Sequence, residues 1–120
     1  MKSKLYVAVL ALITSAGCEN FNAMKFDKVN WNEGYEVEAP PPSRNRMLND
    51  LVQNHKLKGL KYNEVVQMLG DPNTHDSTTF TYDIKVEHSG IDVVYIKYLE
   101  FDFSKDSVIT GFYVREQKKG

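Results

Sequence analysis

The stretch Tyr62-Asn63-Glu64-Val65-Val66-Gln67-Met68-Leu69-Gly70-Asp71-Pro72, with Phe80-Thr81-Tyr82-Asp83-Ile84-Lys85-Val86 beyond it, decides the fold. The apolar spacing changes period between the two halves. Val65, Met68 and Leu69 recur three and four residues apart, the spacing of one helical face, with Val66 flanking. Gly70 suits the left-handed position that closes a helix, and Asp71-Pro72 prevents its resumption. Glu64 falls in the first turn, where a carboxylate meets the positive end of the helix dipole. Lys61 has no side-chain acceptor to offer as a cap, so this helix is expected to fray at its start. Past Pro72 the period is two: Phe80, Tyr82, Ile84 and Val86 alternate with Thr81, Asp83 and Lys85, a half-buried strand.

Upstream of this junction, Ser43 is the expected N-cap of a helix from Arg44 to about His55. Met47, Leu48, Leu51 and Val52 form its apolar face, and Arg46 stands four residues before Asp50 on the solvent side. Lys56 to Lys61 is a short connection holding Leu57, Gly59 and Leu60. Downstream, His88-Ser89-Gly90 is turn chemistry. Ile91 to Ile96 has two readings, the start of a strand or a loop packed on the core. Leu99, Phe101 and Phe103 alternate again, Ser104 to Ser107 forms a second turn, and Val108, Thr110, Phe112 and Val114 begin a last strand. Lys118-Lys119-Gly120 reads as a frayed tail. The expected fold is α+β over residues 44–117: two helices packed on a three-stranded antiparallel sheet, or a four-stranded one, as a two-layer sandwich.

The amino-terminal third is of another kind. Lys2 and Lys4 precede an unbroken apolar run, Leu5 to Ile13, and then Thr14-Ser15-Ala16-Gly17-Cys18. Basic, apolar, then small is the order of a secretory signal peptide, here residues 1–17. The run is about half the ~20 residues a membrane-spanning helix needs. Ser15-Ala16-Gly17-Cys18 resembles the bacterial lipobox, and Cys18 is the only cysteine of the chain. That resemblance implies a diacylglycerol on the Cys18 thiol, cleavage between Gly17 and Cys18, and acylation of the new amino terminus. Glu19 in the next position favours the outer membrane, facing the periplasm, since an aspartate there tends to retain enterobacterial lipoproteins in the inner membrane. Residues 18–43 show no sustained period and end in Pro40-Pro41-Pro42, which favours extended polyproline II. They read as a tether from the lipid to the domain. Trp31, the only tryptophan, either folds back on the domain with Phe26 or meets a partner or the membrane interface.

Charge excludes one class of partner. The formal net charge is −1 and becomes more acidic once Lys2 and Lys4 leave, with the signs interspersed, so nothing here marks a nucleic-acid surface. A single cysteine allows no internal disulfide. His55, His75 and His88 have no metal-ligand spacing, and no metal or other cofactor is expected beyond the lipid on Cys18. Asp71 with Asp76, and Glu100 with Asp102, read as solvated charges. No phosphate loop or nucleophile elbow is present. The thiol is consumed by lipid, so the chain reads as non-enzymatic.

Leu57, Gly59 and Leu60, then Glu64-Val65, Leu69-Gly70 and Pro72, and later Leu99-x-Phe101 and Val108 together resemble the SmpA/OmlA (BamE-like) lipoprotein domain. Trp31, Arg44-x-x-Met47-x-x-Asp50-Leu51 and the Tyr95 to Leu99 stretch are similar to small bacterial lipoproteins related to it. The resemblance implies a helix-helix-sheet fold and an accessory role in the outer-membrane protein assembly machinery, binding envelope proteins and lipid headgroups. Two functional classes follow. In one, the domain is an envelope scaffold, with Tyr95, Tyr98, Tyr113 and Trp31 as candidate partner contacts, because aromatic residues are favoured at interfaces. The alternative for the three tyrosines is that they merely cover a small core. In the other class, the domain is an inhibitor or immunity-type protein that binds a hydrolase or toxin through the open sheet face, as similar units do in proteinaceous β-lactamase inhibitors.

Overall fold

The computed structural model describes residues 23–33 and 39–119. Three helices precede four strands there: α1 (Lys28–Asn32), α2 (Ser43–Asn54), α3 (Tyr62–Leu69), β1 (Thr74–His75), β2 (Thr79–Ser89), β3 (Asp92–Phe103) and β4 (Ile109–Lys118). The strands form one antiparallel sheet in the order β1-β2-β3-β4. The α+β class and the helix-on-sheet arrangement are as expected. The fourth strand is the two-residue β1, however, and Ile91 to Ile96 proves to be the hairpin turn and the first half of β3. Gly90, at φ +65°, makes that hairpin.

Alternation places Phe80 and Tyr82 of β2, Leu99 and Phe101 of β3, and Ile109 of β4 in the core, against Met47, Leu48 and Leu51 of α2 and Val65 and Leu69 of α3. The rings of Phe80 and Phe101 stack at 5.0 Å across the β2–β3 ladder. Tyr82 spends its hydroxyl on the Gly70 carbonyl at 2.6 Å, which ties the end of α3 to the sheet. Burial pushes that phenol well above its ordinary pKa. The register of β2 against β3 slips between Asp83 and Lys85. The extra residue of this bulge is Ile84, whose side chain is buried.

Helix α3 has the expected limits, but its start is not frayed. Glu64 Oε1 accepts from the Lys61 N–H at 2.8 Å, the returning half of a capping box. The Tyr62 N–H donates to the Ser107 carbonyl at 2.8 Å, and Leu60 and Gly59 pair with Ile109 through bonds of 2.7 and 2.8 Å. The missing cap is replaced by the turn before β4. Ser43 is not a cap either. Pro42, already at helical φ and ψ, precedes α2, and the Ser43 hydroxyl donates to the Asn30 carbonyl instead. The carboxyl-terminal tail is likewise held: β4 runs to Lys118, and the Lys119 N–H donates to Val94 O at 2.9 Å.

The largest departure lies in the stretch read as a tether. From Met24 the chain is docked on the domain as a strap. The Met24 N–H donates to Arg46 O at 2.9 Å, the Phe26 N–H to Asp50 Oδ2 at 2.8 Å, and the Asp27 N–H to Met47 Sδ at 3.2 Å. Asp27 then caps α1 by accepting from the Val29 N–H. A five-residue helix has almost no stability of its own. Trp31 supplies it by closing the core, with 0% of its surface exposed.

Candidate interaction surface

Residues opposite one another in a ladder share a face of the sheet. Phe80, Phe101 and Phe112 are in register on the helical face, as are Tyr82, Leu99 and Val114. The outer face therefore carries Thr81, Glu100 and Tyr113 in one row, Asp83, Tyr98 and Arg115 in the next, and Val86, Ile96 and Gln117 beyond the bulge. No helix among the described residues covers this side. The Tyr113 ring lies along the sheet rather than standing out from it. Gly111, two residues back, leaves the room: a Cβ there would meet the Tyr113 hydroxyl at 2.8 Å. The Arg115 guanidinium sits over that ring at 4.9 Å and donates to Glu100 Oε1 at 3.2 Å. A tyrosine and an arginine held flat and pre-paired make a surface of the kind that protein partners use, with little side-chain freedom left to lose.

The three tyrosines expected to act together are split. Tyr98 and Tyr113 share the outer face. Tyr95 is an odd number of residues from Tyr98, β3 has no irregularity between them, and so it faces the other side. It pairs with Glu87 and Lys118 there, and desolvation, reinforced by Glu116, raises its pKa. With Ile91 to Ile96 unassigned, the sequence pattern gave Tyr95 no parity.

Trp31 is not an accessible contact at all. Of its two readings, the fold-back one describes the structure: its ring meets Phe26 edge-on at 5.8 Å and carries the Arg44 guanidinium at 5.0 Å. Its indole N–H is buried and has no hydrogen-bond partner among the described residues. Gly17 and Cys18, the cleavage and lipidation positions, lie outside the described residues.

Several of the other polar candidates have structural partners. Asp50, expected beside Arg46, accepts from Phe26 N, from Asn54 and from His55 at 3.2 Å. His55 also meets the Phe26 ring, while His75 stacks on Tyr62 at 4.9 Å. His88 pairs with Val93 near the hairpin tip. Asp76 caps its own turn by accepting from the Thr78 and Thr79 N–H groups, which hold its carboxyl below the usual range. Among the described residues no three His, Cys, Asp or Glu side chains gather as a metal site would need, and no helix is long and apolar enough to cross a membrane.

A buried cation is the residue that pattern reading missed. Arg44 is 2% exposed. Its Nε donates to Trp31 O at 2.9 Å, and its Nη1 donates to Asp83 O at 2.9 Å and to Asn73 Oδ1 at 3.5 Å. Asn73 Oδ1 also accepts from the Asp83 N–H, so the β2 backbone beyond the end of β1 is satisfied at both its donor and its acceptor. The signal was present: Arg44 lies three and four residues before Met47 and Leu48, on the apolar stripe of α2. Comparison with protein-family models, with curated proteins and with solved structures finds no match for this chain.

Proposed function

We propose that this chain is a non-enzymatic lipoprotein of the bacterial envelope, anchored through Cys18, whose domain is of the SmpA/OmlA (BamE-like) kind and presents its outer sheet face to another envelope protein. The observation that carries the reading is Ser15-Ala16-Gly17-Cys18 after the apolar run, with the sole thiol of the chain in the lipidated position. Each acyl chain adds ~0.8 kcal/mol per buried methylene, so several chains hold a protein on a bilayer without other contacts. The uncovered face with Tyr98, Tyr113 and Arg115 supports the partner-binding half of the proposal. Outer-membrane residence, periplasmic side, follows from Glu19.

Mass spectrometry of the mature protein tests the anchor: an acylated cysteine at the new amino terminus is expected, and Cys18→Ala should release the protein from membranes. An unmodified thiol in a soluble product ends this reading. Photo-crosslinking from position 113 in cells tests the partner. Recovery of an outer-membrane protein supports the scaffold role, whereas a secreted hydrolase would replace it with the inhibitor or immunity-type role.

A further inference from the structure

As sequence, the chain puts a long leash between Cys18 and a domain that begins near Arg44. The docked strap removes most of it. Met24, Phe26, Asp27 and Asn30 are each bonded to α2, and Trp31 is inside the core, so the domain begins at Met24. Six peptide links separate Cys18 from Met24. At ~3.6 Å per residue they span at most about 22 Å, whatever conformation they take. With the strap loose, the links from Cys18 to Ser43 would reach about 90 Å on the same measure.

We propose that docking of the strap holds the domain at the surface of its membrane, so that its partner is a protein embedded in, or seated on, that same bilayer. The inference rests on the lipid anchor at Cys18. A leash of at most about 22 Å is shorter than the diameter of a ~100-residue domain, whose radius of gyration is ~13 Å. The body cannot step its own width away from the headgroups. Confinement to so thin a shell raises the effective concentration for partners in that shell and gives nothing for partners beyond it. The strap bonds to α2, on the helical side of the sheet, so its attachment lies on the side opposite Tyr98 and Tyr113.

The single tryptophan lies in the strap, which makes it a native donor for the test. The mature, lipidated full-length protein is placed in vesicles carrying a dansyl-labelled phosphatidylethanolamine, and Trp31 is excited beyond tyrosine absorption. Its emission should be strongly quenched by transfer to the headgroups. A forty-residue Gly/Ser insertion between Asn22 and Ala23 leaves the strap intact and gives the leash a root-mean-square reach of about 35 Å. Transfer should then fall at least twofold, with flotation unchanged and a Trp31 emission maximum unchanged in soluble controls without lipid. Equal transfer in the two proteins, or a floating wild-type protein without transfer, overturns the short leash while the anchor stands. A protein that does not float overturns the anchor and this proposal together. The partner crosslinked from position 113 should fractionate with membranes, and a freely soluble partner overturns the assignment of its class.

Discussion

Arg44 and Trp31 meet twice: Arg44 Nε donates to the Trp31 carbonyl at 2.9 Å, and the guanidinium carbon lies 5.0 Å from the centre of the indole ring. One side chain thus bonds to the strap and packs on it. Through Nη1 the same group reaches Asp83 O at the β2 bulge, so strap, helix and sheet share one buried cation. A planar fork with several fixed donors can serve carbonyls on two elements at once, where a point charge on a flexible stem cannot.

Arg44→Ala should therefore destabilise the domain by about 3 kcal/mol, because two buried carbonyls lose their donor and a cavity opens. Arg44→Lys should recover less than half of that. Urea unfolding followed by far-ultraviolet circular dichroism gives both numbers, and a loss under ~1 kcal/mol for the alanine variant would contradict the network.

Trp31→Ala should cost about 3–5 kcal/mol, the range for truncating a buried aromatic residue. In the native chain Trp31 should emit at short wavelength and shift to the red at the same urea concentration at which circular dichroism changes. Coincident transitions mean that the strap belongs to the cooperative unit. An earlier fluorescence transition would show that it undocks separately.

Acid should loosen the strap. The Phe26 N–H foremost, then Asn54, and more weakly His55, hold the Asp50 carboxyl below its ordinary value of 3.8. A depressed carboxylate contributes stability above its unfolded pKa and loses it as pH falls through the folded one. Asp76 acts in the same direction through Thr78 and Thr79. Asp83 has the opposite sign: burial raises its pKa, and its ionisation opposes folding as pH rises above the ordinary value. Asp50→Asn should flatten the stability loss below about pH 4, and Asp83→Asn should raise the urea midpoint at neutral pH. Midpoints measured from acid to neutral pH check both signs.

Gly70→Ala should destabilise by at least about 1 kcal/mol. Gly70 has φ +86°, and a Cβ there would sit 2.9 Å from Asn32 Oδ1, at the end of α1. Thermal unfolding of the single variant measures the cost. Gly90→Ala gives the comparison at a glycine of positive φ where nothing lies within 4 Å of the Cβ position, and it should cost less than Gly70→Ala, whose backbone lies at φ +86° and ψ −171°.

A photo-crosslinker at position 113 should capture a partner, and one at position 95 should not, because the two positions lie on opposite faces of the sheet. Capture from position 95 alone would move the interface to the helical side.

Local signals explain what could be read along the chain. The limits of α3 follow from a stripe of apolar residues and from Gly70 and Pro72 directly behind it, all within one short segment. The core strands follow from alternation, which each strand carries within its own few residues. Tertiary structure decided whatever depends on a distant acceptor. The strap has no period because its N–H groups are satisfied by Arg46, Asp50 and Met47, more than nineteen residues away. The start of α3 is fixed by Ser107 and Ile109 together with the local bond from Lys61 N–H to Glu64, and only the last of these lies within reach of a local pattern. The face that Tyr95 shows was settled only when β3 proved continuous from Asp92, because in a strand a side chain's direction is set by counting from a paired neighbour. Composition and spacing determined the kind of elements this chain makes; the buried bonds of Arg44, Trp31 and Asp50 decided where the domain begins, because each joins residues that the sequence keeps apart.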